Sequence, residues 1–152
     1  MSKHQFYWKA NPHQDWYTIR GSLDAITAWT PIAPLTKDMG YLEVVPGSHK
    51  NGLLKHKDFG NNYEIIESTD SLNWKPIEMD IGDVLFFSTF TIHRSGYNKS
   101  DKIRWTEVIR YDNALEPSFV AREFPLNFKS ERVDKKLIDC FLYTKELNAL
   151  FT

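Results

Sequence analysis

Apolar and polar residues alternate in short runs over the first two-thirds of the chain, and turn residues separate these runs. Strands are predicted at 25–32, 40–45, 63–67, 84–90 and 103–111. Pro46-Gly47-Ser48 is a strong turn signal between two of them. Many short strands at this spacing predict a mainly β domain of the sandwich or jelly-roll kind.

The end of the chain has a different pattern. From Ser130 to Leu150 there is neither Gly nor Pro, and apolar residues return at helical spacing. We predict a C-terminal helix with Ser130 as its N-cap, packed on the outside of the sheet or on a second subunit. With 152 residues and no internal repeat, the whole chain 1–152 is predicted to form a single domain.

Composition narrows the class of protein. Aromatic residues make up 14% of the chain, which indicates a well-filled interior and an apolar pocket. The net charge of −1 argues against a nucleic acid or a membrane surface as partner. The single cysteine, Cys140, rules out an internal disulfide and fits a reducing compartment. Because no signal peptide or membrane-spanning run is visible, we expect a cytoplasmic protein.

Two short motifs suggest a metal centre. His13 and Asp15 are two residues apart, so on a strand they project from the same face while Gln14 turns away. Two histidines and one carboxylate form the open ligand set of non-haem Fe(II) oxygenases, and His93 is the best candidate for the third ligand. Arg104, eleven residues after His93, suits a cosubstrate that carries a carboxylate.

Each of these residues also has an ordinary structural interpretation. A His-x-Asp pair alone is often surface polarity or a local hydrogen bond, and Arg104 could belong to a surface ion pair. His49, in the turn after Pro46, is expected to shape that turn. No partner signal accompanies His4 or His56, and both are expected in solvent.

The order and spacing of several motifs resemble the phytanoyl-CoA dioxygenase family. They are His13-Gln14-Asp15, Asp24-Ala25-Ile26-Thr27-Ala28-Trp29, Gly40-Tyr41-Leu42-Glu43-Val44-Val45-Pro46-Gly47-Ser48-His49-Lys50, Gly82-Asp83-Val84-Leu85-Phe86-Phe87, and His93-Arg94-Ser95 followed by Asn98 and Arg104. The similarity covers about residues 8–112, which we take as the core, and leaves about 113–152 as a tail with the helix. Members are Fe(II)- and 2-oxoglutarate-dependent oxygenases on a double-stranded β-helix, a cupin-like jelly roll.

The resemblance implies roles for individual residues. His13, Asp15 and His93 would bind iron, Arg104 and Ser95 would bind the distal carboxylate of 2-oxoglutarate, and Trp29 would line the cosubstrate pocket. The implied reaction uses O2 to hydroxylate a small molecule, with release of succinate and CO2. No catalytic residue is implied beyond the metal ligands. Related halogenases carry a small residue at the position of Asp15, so hydroxylation is favoured here.

One departure from the family leaves alternatives open. Members have a helical region and at least one core strand before the first ligand, whereas His13 lies close to Met1, and we expect this chain to lack that region. The missing cover would leave an exposed sheet edge, which favours a homodimer. A cupin-like Zn or Mn enzyme and a non-catalytic or truncated jelly-roll metal-binding module are the competing interpretations.

Overall fold

The computed structural model describes residues 9–58, 63–125 and 145–151. Strands dominate this part of the chain: β1 Ile26–Pro31, β2 Leu42–Val44, β3 His56–Asp58, β4 Tyr63–Ile65, β5 Lys75–Ile77, β6 Leu85–Ser88, β7 His93–Ser95 and β8 Thr106–Tyr111. The α-helices are short: α1 Trp16–Ile19, α2 Pro117–Ala121 and α3 Lys145–Ala149. Two 3-10 helices, Lys37–Met39 and Ser48–Asn51, lie in the connections around β2.

All strand pairings are antiparallel. One sheet has the order β6-β1-β8, a second has the order β5-β2-β7, and β3 pairs with β4. In the first sheet Thr27 lies opposite Phe87 on β6 and opposite Arg110 on β8. Since side chains alternate along a strand, Thr27 and Trp29 share the inner face of this sheet.

The two three-stranded sheets pack face to face around one apolar cluster. Trp29 of β1 is 6% exposed and contacts Leu42 and Val44 of β2, and Leu85 and Phe87 of β6 pack against the same cluster. This sandwich confirms the predicted mainly β, jelly-roll fold class. A second cluster joins Trp16 of α1, Phe90 and Leu147 of α3, so the end of the chain packs next to α1.

The longer predicted strands are confirmed, with shorter bounds. The runs predicted at 25–32, 40–45, 63–67, 84–90 and 103–111 contain β1, β2, β4, β6 and β8. The sequence did not predict β3, β5 and β7, which have three residues each. Helix α3 falls within the helix predicted from Ser130 to Leu150. The rest of that predicted helix, including Cys140, lies outside the described residues, as does His4 near the start of the chain.

Strand β8 lies at the edge of its sheet, and five of its six residues are exposed. Val108 on its inner face is 39% exposed, so this end of the sandwich is open in the described chain. The predicted homodimer remains a prediction. Among the described residues, no helix is both long and apolar enough to cross a membrane.

Candidate metal centre

Three predicted ligands come together at one point of the sandwich. His13, Asp15 and His93 each offer one possible ligand atom, and these three atoms lie within 4.8 Å of one another. Oδ1 of Asp15 is 3.6 Å from Nε2 of His13 and 3.7 Å from Nε2 of His93. Asp15 and His93 are buried and His13 is half-buried, so His13 is the ligand of the three that solvent reaches most easily.

The backbone explains why the two histidines meet. His13 and His93 form an isolated antiparallel bridge in which each N–H donates to the carbonyl oxygen of the other at 3.0 Å. The prediction that His13 and Asp15 converge because they alternate on one strand was wrong. Asp15 has αR backbone angles and is the N-cap of α1, so the chain bends after His13 and turns the carboxylate back towards both imidazoles.

Both imidazoles are oriented by their second nitrogen. Nδ1 of His13 lies 2.7 Å from the carbonyl oxygen of Asn11, and Nδ1 of His93 lies 2.9 Å from that of Thr91. A carbonyl oxygen only accepts, so each Nδ1 carries a proton and Nε2 is the nitrogen of each ring that faces the metal position. Burial, helped by repulsion from His13, lowers the pKa of His93 to about 4 against the attraction of Asp15, so this ring is neutral at pH 7.

Asp15 is held by residues that the sequence motifs did not single out. Oδ2 accepts hydrogen bonds from the Thr27 hydroxyl at 2.8 Å and from Nε of Arg110 at 3.1 Å, while Nη2 of Arg110 donates to Oδ1 at 3.0 Å. Burial alone would raise the pKa of the Asp15 carboxyl. The contacts with His93 and His13 and the ion pair with Arg110 outweigh burial and hold the pKa of Asp15 well below its usual value.

The residue between two of the ligands is fixed as firmly as the ligands. The buried Gln14 side chain points away from the place where the three donor atoms meet, as predicted. Its side-chain amide donates to the carbonyl oxygens of Gly52 and Phe90 and accepts from the N–H of Leu54. The Gln14 backbone N–H donates to Nε2 of His56 at 3.1 Å. His56 is 8% exposed, so the prediction that it lies in solvent was wrong.

The predicted cosubstrate residues Ser95 and Trp29 are buried, and Arg104 is half-buried. Ser95 is buried and follows His93 on β7 at the same-face spacing. Arg104 donates from Nη1 to the carbonyl oxygen of Gly40 at 2.6 Å, and Gly40 packs against Gly96, the residue after Ser95. Trp29 is in the core between the sheets. Arg104 is therefore brought to the end of β7 that carries Ser95.

Simple alternation could have pointed to the two residues around Asp15. Thr27 precedes Trp29 by two positions, and Arg110 follows Arg104 by six, so both fall on the inward face of their strands if the alternation is extended. Their meeting depends on the pairing of β1 with β8, which places Thr27 directly opposite Arg110. His56 gave no such signal, because its partners are backbone groups.

The fold and the donor set together define a jelly-roll protein with a candidate mononuclear metal centre. The sequence model of phytanoyl-CoA dioxygenase matches residues 4–106 of this chain. The methylphosphonate hydroxylase of Gimesia maris is 34% identical over 112 residues, which cover 74% of this chain and 42% of the hydroxylase. The peroxisomal phytanoyl-CoA dioxygenase of Bos taurus is 35% identical over 101 residues, which cover 60% of this chain and 30% of that enzyme.

Solved structures show the same fold. EvdO2 from Micromonospora carbonacea var. aurantiaca superposes with a TM-score of 0.59 at 18% identity, over 72% of this chain and 49% of EvdO2. The epimerase SnoN, solved with Fe3+, alpha-ketoglutarate and nogalamycin RO, superposes with a TM-score of 0.57 at 21% identity, over 74% of this chain and 45% of SnoN.

The chain belongs to the phytanoyl-CoA dioxygenase family, as its motifs predicted. It spans less than half the length of the relatives and structures described above.

Proposed function

We propose that this protein is an Fe(II)- and 2-oxoglutarate-dependent dioxygenase that hydroxylates a small molecule. The observation that supports this best is the oriented donor set: two Nε2 lone pairs and one oxygen of Asp15 face a common point. The donor chemistry fits ferrous iron, which non-haem oxygenases bind with two histidines and one carboxylate. His13, Asp15 and His93 would hold the metal.

Arg104 supports the choice of cosubstrate. Burial lowers the pKa of its guanidinium, and no carboxylate pairs with it within 9–58, 63–125 or 145–151. A half-buried cation without an anion is unfavourable, and a ligand carboxylate would relieve this cost through a bidentate contact. Ser95 would donate a second hydrogen bond to that carboxylate. Trp29 would form the apolar wall beside it.

The chain's own residues would position the reactants and shield them from water. Ferrous iron with 2-oxoglutarate and O2 would supply the oxidative chemistry that hydroxylates the substrate and releases succinate and CO2. Phe87 of β6 packs edge-on against the His93 ring, with 4.9 Å between ring centroids, and would help to keep water from this ligand. A cupin-like Zn or Mn reaction would have no need of Arg104, which pairs with no carboxylate in the part of the chain that the structure describes.

An anaerobic titration with Fe(II) and 2-oxoglutarate tests this function. The native protein should give a weak metal-to-ligand charge-transfer band in the visible, and Arg104→Ala should lose it while still binding metal. Arg94→Ala is the matched control, because Arg94 pairs with Glu43 on the other face of β7. A native protein that binds metal but shows no band would refute the proposal.

A truncated, non-catalytic metal-binding module is the second candidate. It is favoured by the open inner face of β8, where Val108 is 39% exposed. Conversion of 2-oxoglutarate to succinate by the native protein under air separates the two. Turnover supports the dioxygenase, whereas a charge-transfer band without turnover supports the module.

A further inference from the structure

The Asp15 carboxylate accepts three hydrogen bonds from side chains in addition to facing the two histidines. An ionised carboxylate has about four acceptor positions on its two oxygens. Thr27 and Nε of Arg110 occupy Oδ2, and Nη2 of Arg110 occupies one side of Oδ1. One position remains, and it belongs to Oδ1, the atom that faces Nε2 of both histidines.

We propose that Arg110 and Thr27 are positioning residues that restrict Asp15 to binding the metal through one oxygen. The inference rests on the metal centre of the proposed function. An octahedral ion held by two imidazoles and one carboxylate oxygen keeps three positions open. A carboxylate bound through both oxygens would leave two, which a chelating 2-oxoglutarate would fill without room for a further ligand.

The geometry favours this role over a simple surface ion pair. Arg110 meets the carboxylate side-on through two N–H groups, which fixes the plane of the carboxylate as well as its position. Asp15 is 2% exposed, so water does not compete for its oxygens. Thr27 is fully buried and lies opposite Arg110 in the β1–β8 register, so both donors are set by the sheet itself.

Arg94 provides a comparison within the same site region. It also pairs with a carboxylate, that of Glu43, and its guanidinium stacks on Trp74 at 4.0 Å. Arg94 and Glu43 lie opposite each other on β7 and β2, and Arg94 is the residue between His93 and Ser95 on β7. Their side chains therefore project from the face of the sheet opposite to the metal centre. This pair should have no influence on how Asp15 binds a metal.

Counting the water molecules bound to Mn(II) tests the proposal directly. The full chain is loaded anaerobically with Mn(II) alone, and the number of coordinated waters is read from the broadening of the EPR lines in water enriched in oxygen-17. Three waters are expected for the native protein and for Arg94→Met. Two are expected for Thr27→Val combined with Arg110→Met, because the freed Oδ2 can then bind the metal.

The outcomes are separable from those of the proposed function, because no 2-oxoglutarate is present. Three waters in the double variant, or two in the native protein, would overturn the proposal. Loss of Mn(II) binding in the variant would also overturn it, since the pair would then be needed for affinity rather than for denticity. If the double variant does not fold, Thr27→Val is combined with Arg110→Lys, which keeps the positive charge but loses the two-pronged guanidinium contact. The same decrease to two waters is expected.

Discussion

His56 should make the folding stability of the metal-free protein depend on pH. Its ring is stacked on Tyr17 with 4.5 Å between centroids and is 8% exposed. Nδ1 donates to the carbonyl oxygen of Leu54 at 2.8 Å, so Nε2 accepts from the Gln14 N–H as a neutral imidazole. Burial, with a small repulsion from His13, lowers the pKa of His56 from 6.5 to about 4, although the Leu54 and Glu67 contacts act in the opposite direction.

The sign and size of the effect follow from linkage. A pKa that is lower in the folded state means that the unfolded chain binds more protons between pH 6.5 and about 4. The stabilisation is fully present above pH 6.5 and is lost as pH falls towards 4. With about 1.4 kcal/mol for each pKa unit, His56 should remove about 2 kcal/mol between pH 7 and pH 5, and about 3 kcal/mol by pH 4.

Urea unfolding at pH 7, 6, 5 and 4.5, followed by tryptophan fluorescence in the presence of a chelator, measures this loss. His56→Gln keeps an acceptor near the position of Nε2 but cannot take up a proton. The variant should be less stable than the native protein at pH 7 and should approach it as the pH falls. His93 titrates in both proteins, so its contribution cancels in the difference.

A matched control is His49→Gln, which removes a half-exposed histidine in the 3-10 helix Ser48–Asn51. Its stability should run parallel to that of the native protein. If the stability of His56→Gln also ran parallel to that of the native protein, the neutral, buried state of His56 would be wrong. Its contact with the backbone N–H of Gln14 would then not depend on protonation.

Other predictions test the packing around the site. Gln14→Met removes a fully buried amide and leaves three backbone groups without their partner, which should cost about 3–5 kcal/mol in urea unfolding. Gly96→Ala would place a Cβ 2.6 Å from the carbonyl oxygen of Tyr41, so it should lower the melting temperature and weaken the 2-oxoglutarate charge-transfer band. Thr89→Val should raise stability by about 1 kcal/mol, because the buried Thr89 hydroxyl has no partner among the described residues. A destabilised Thr89→Val would mean that this hydroxyl has a hydrogen-bond partner after all.

How far the sequence predicted the fold depends on whether a strand lies within a recognisable apolar or alternating run. β1, β6 and β8 lie in runs of apolar or alternating residues that are long enough to be recognised without tertiary information. β5 and β7 have three residues each and are held on either side of β2 by backbone pairing. Their strand character comes from that pairing and not from their own side chains, so no local pattern could reveal it.

The three predicted metal ligands lie together, although one part of the reasoning behind them was wrong. The residue types and their order selected His13, Asp15 and His93, and the structure brings one donor atom from each to a common point. The strand argument failed at Asp15, whose backbone is helical. A short polar motif carries little information on its own backbone, because its conformation is decided by contacts such as the Gln14 amide with distant carbonyl oxygens.

Two arginines of the same segment show how the site distributes charge. Arg110 is paired with Asp15, and this pairing raises the pKa of Arg110 even though burial opposes it. Arg104 is also partly buried, yet its described partner is the neutral carbonyl oxygen of Gly40. Among the described residues one guanidinium is thus balanced by a carboxylate and the other is not, and for the second we propose a ligand carboxylate as partner. If the two roles are as proposed, Arg104→Met should weaken 2-oxoglutarate binding and leave three waters on Mn(II). Arg110→Met combined with Thr27→Val should instead lower the number of waters on Mn(II) to two.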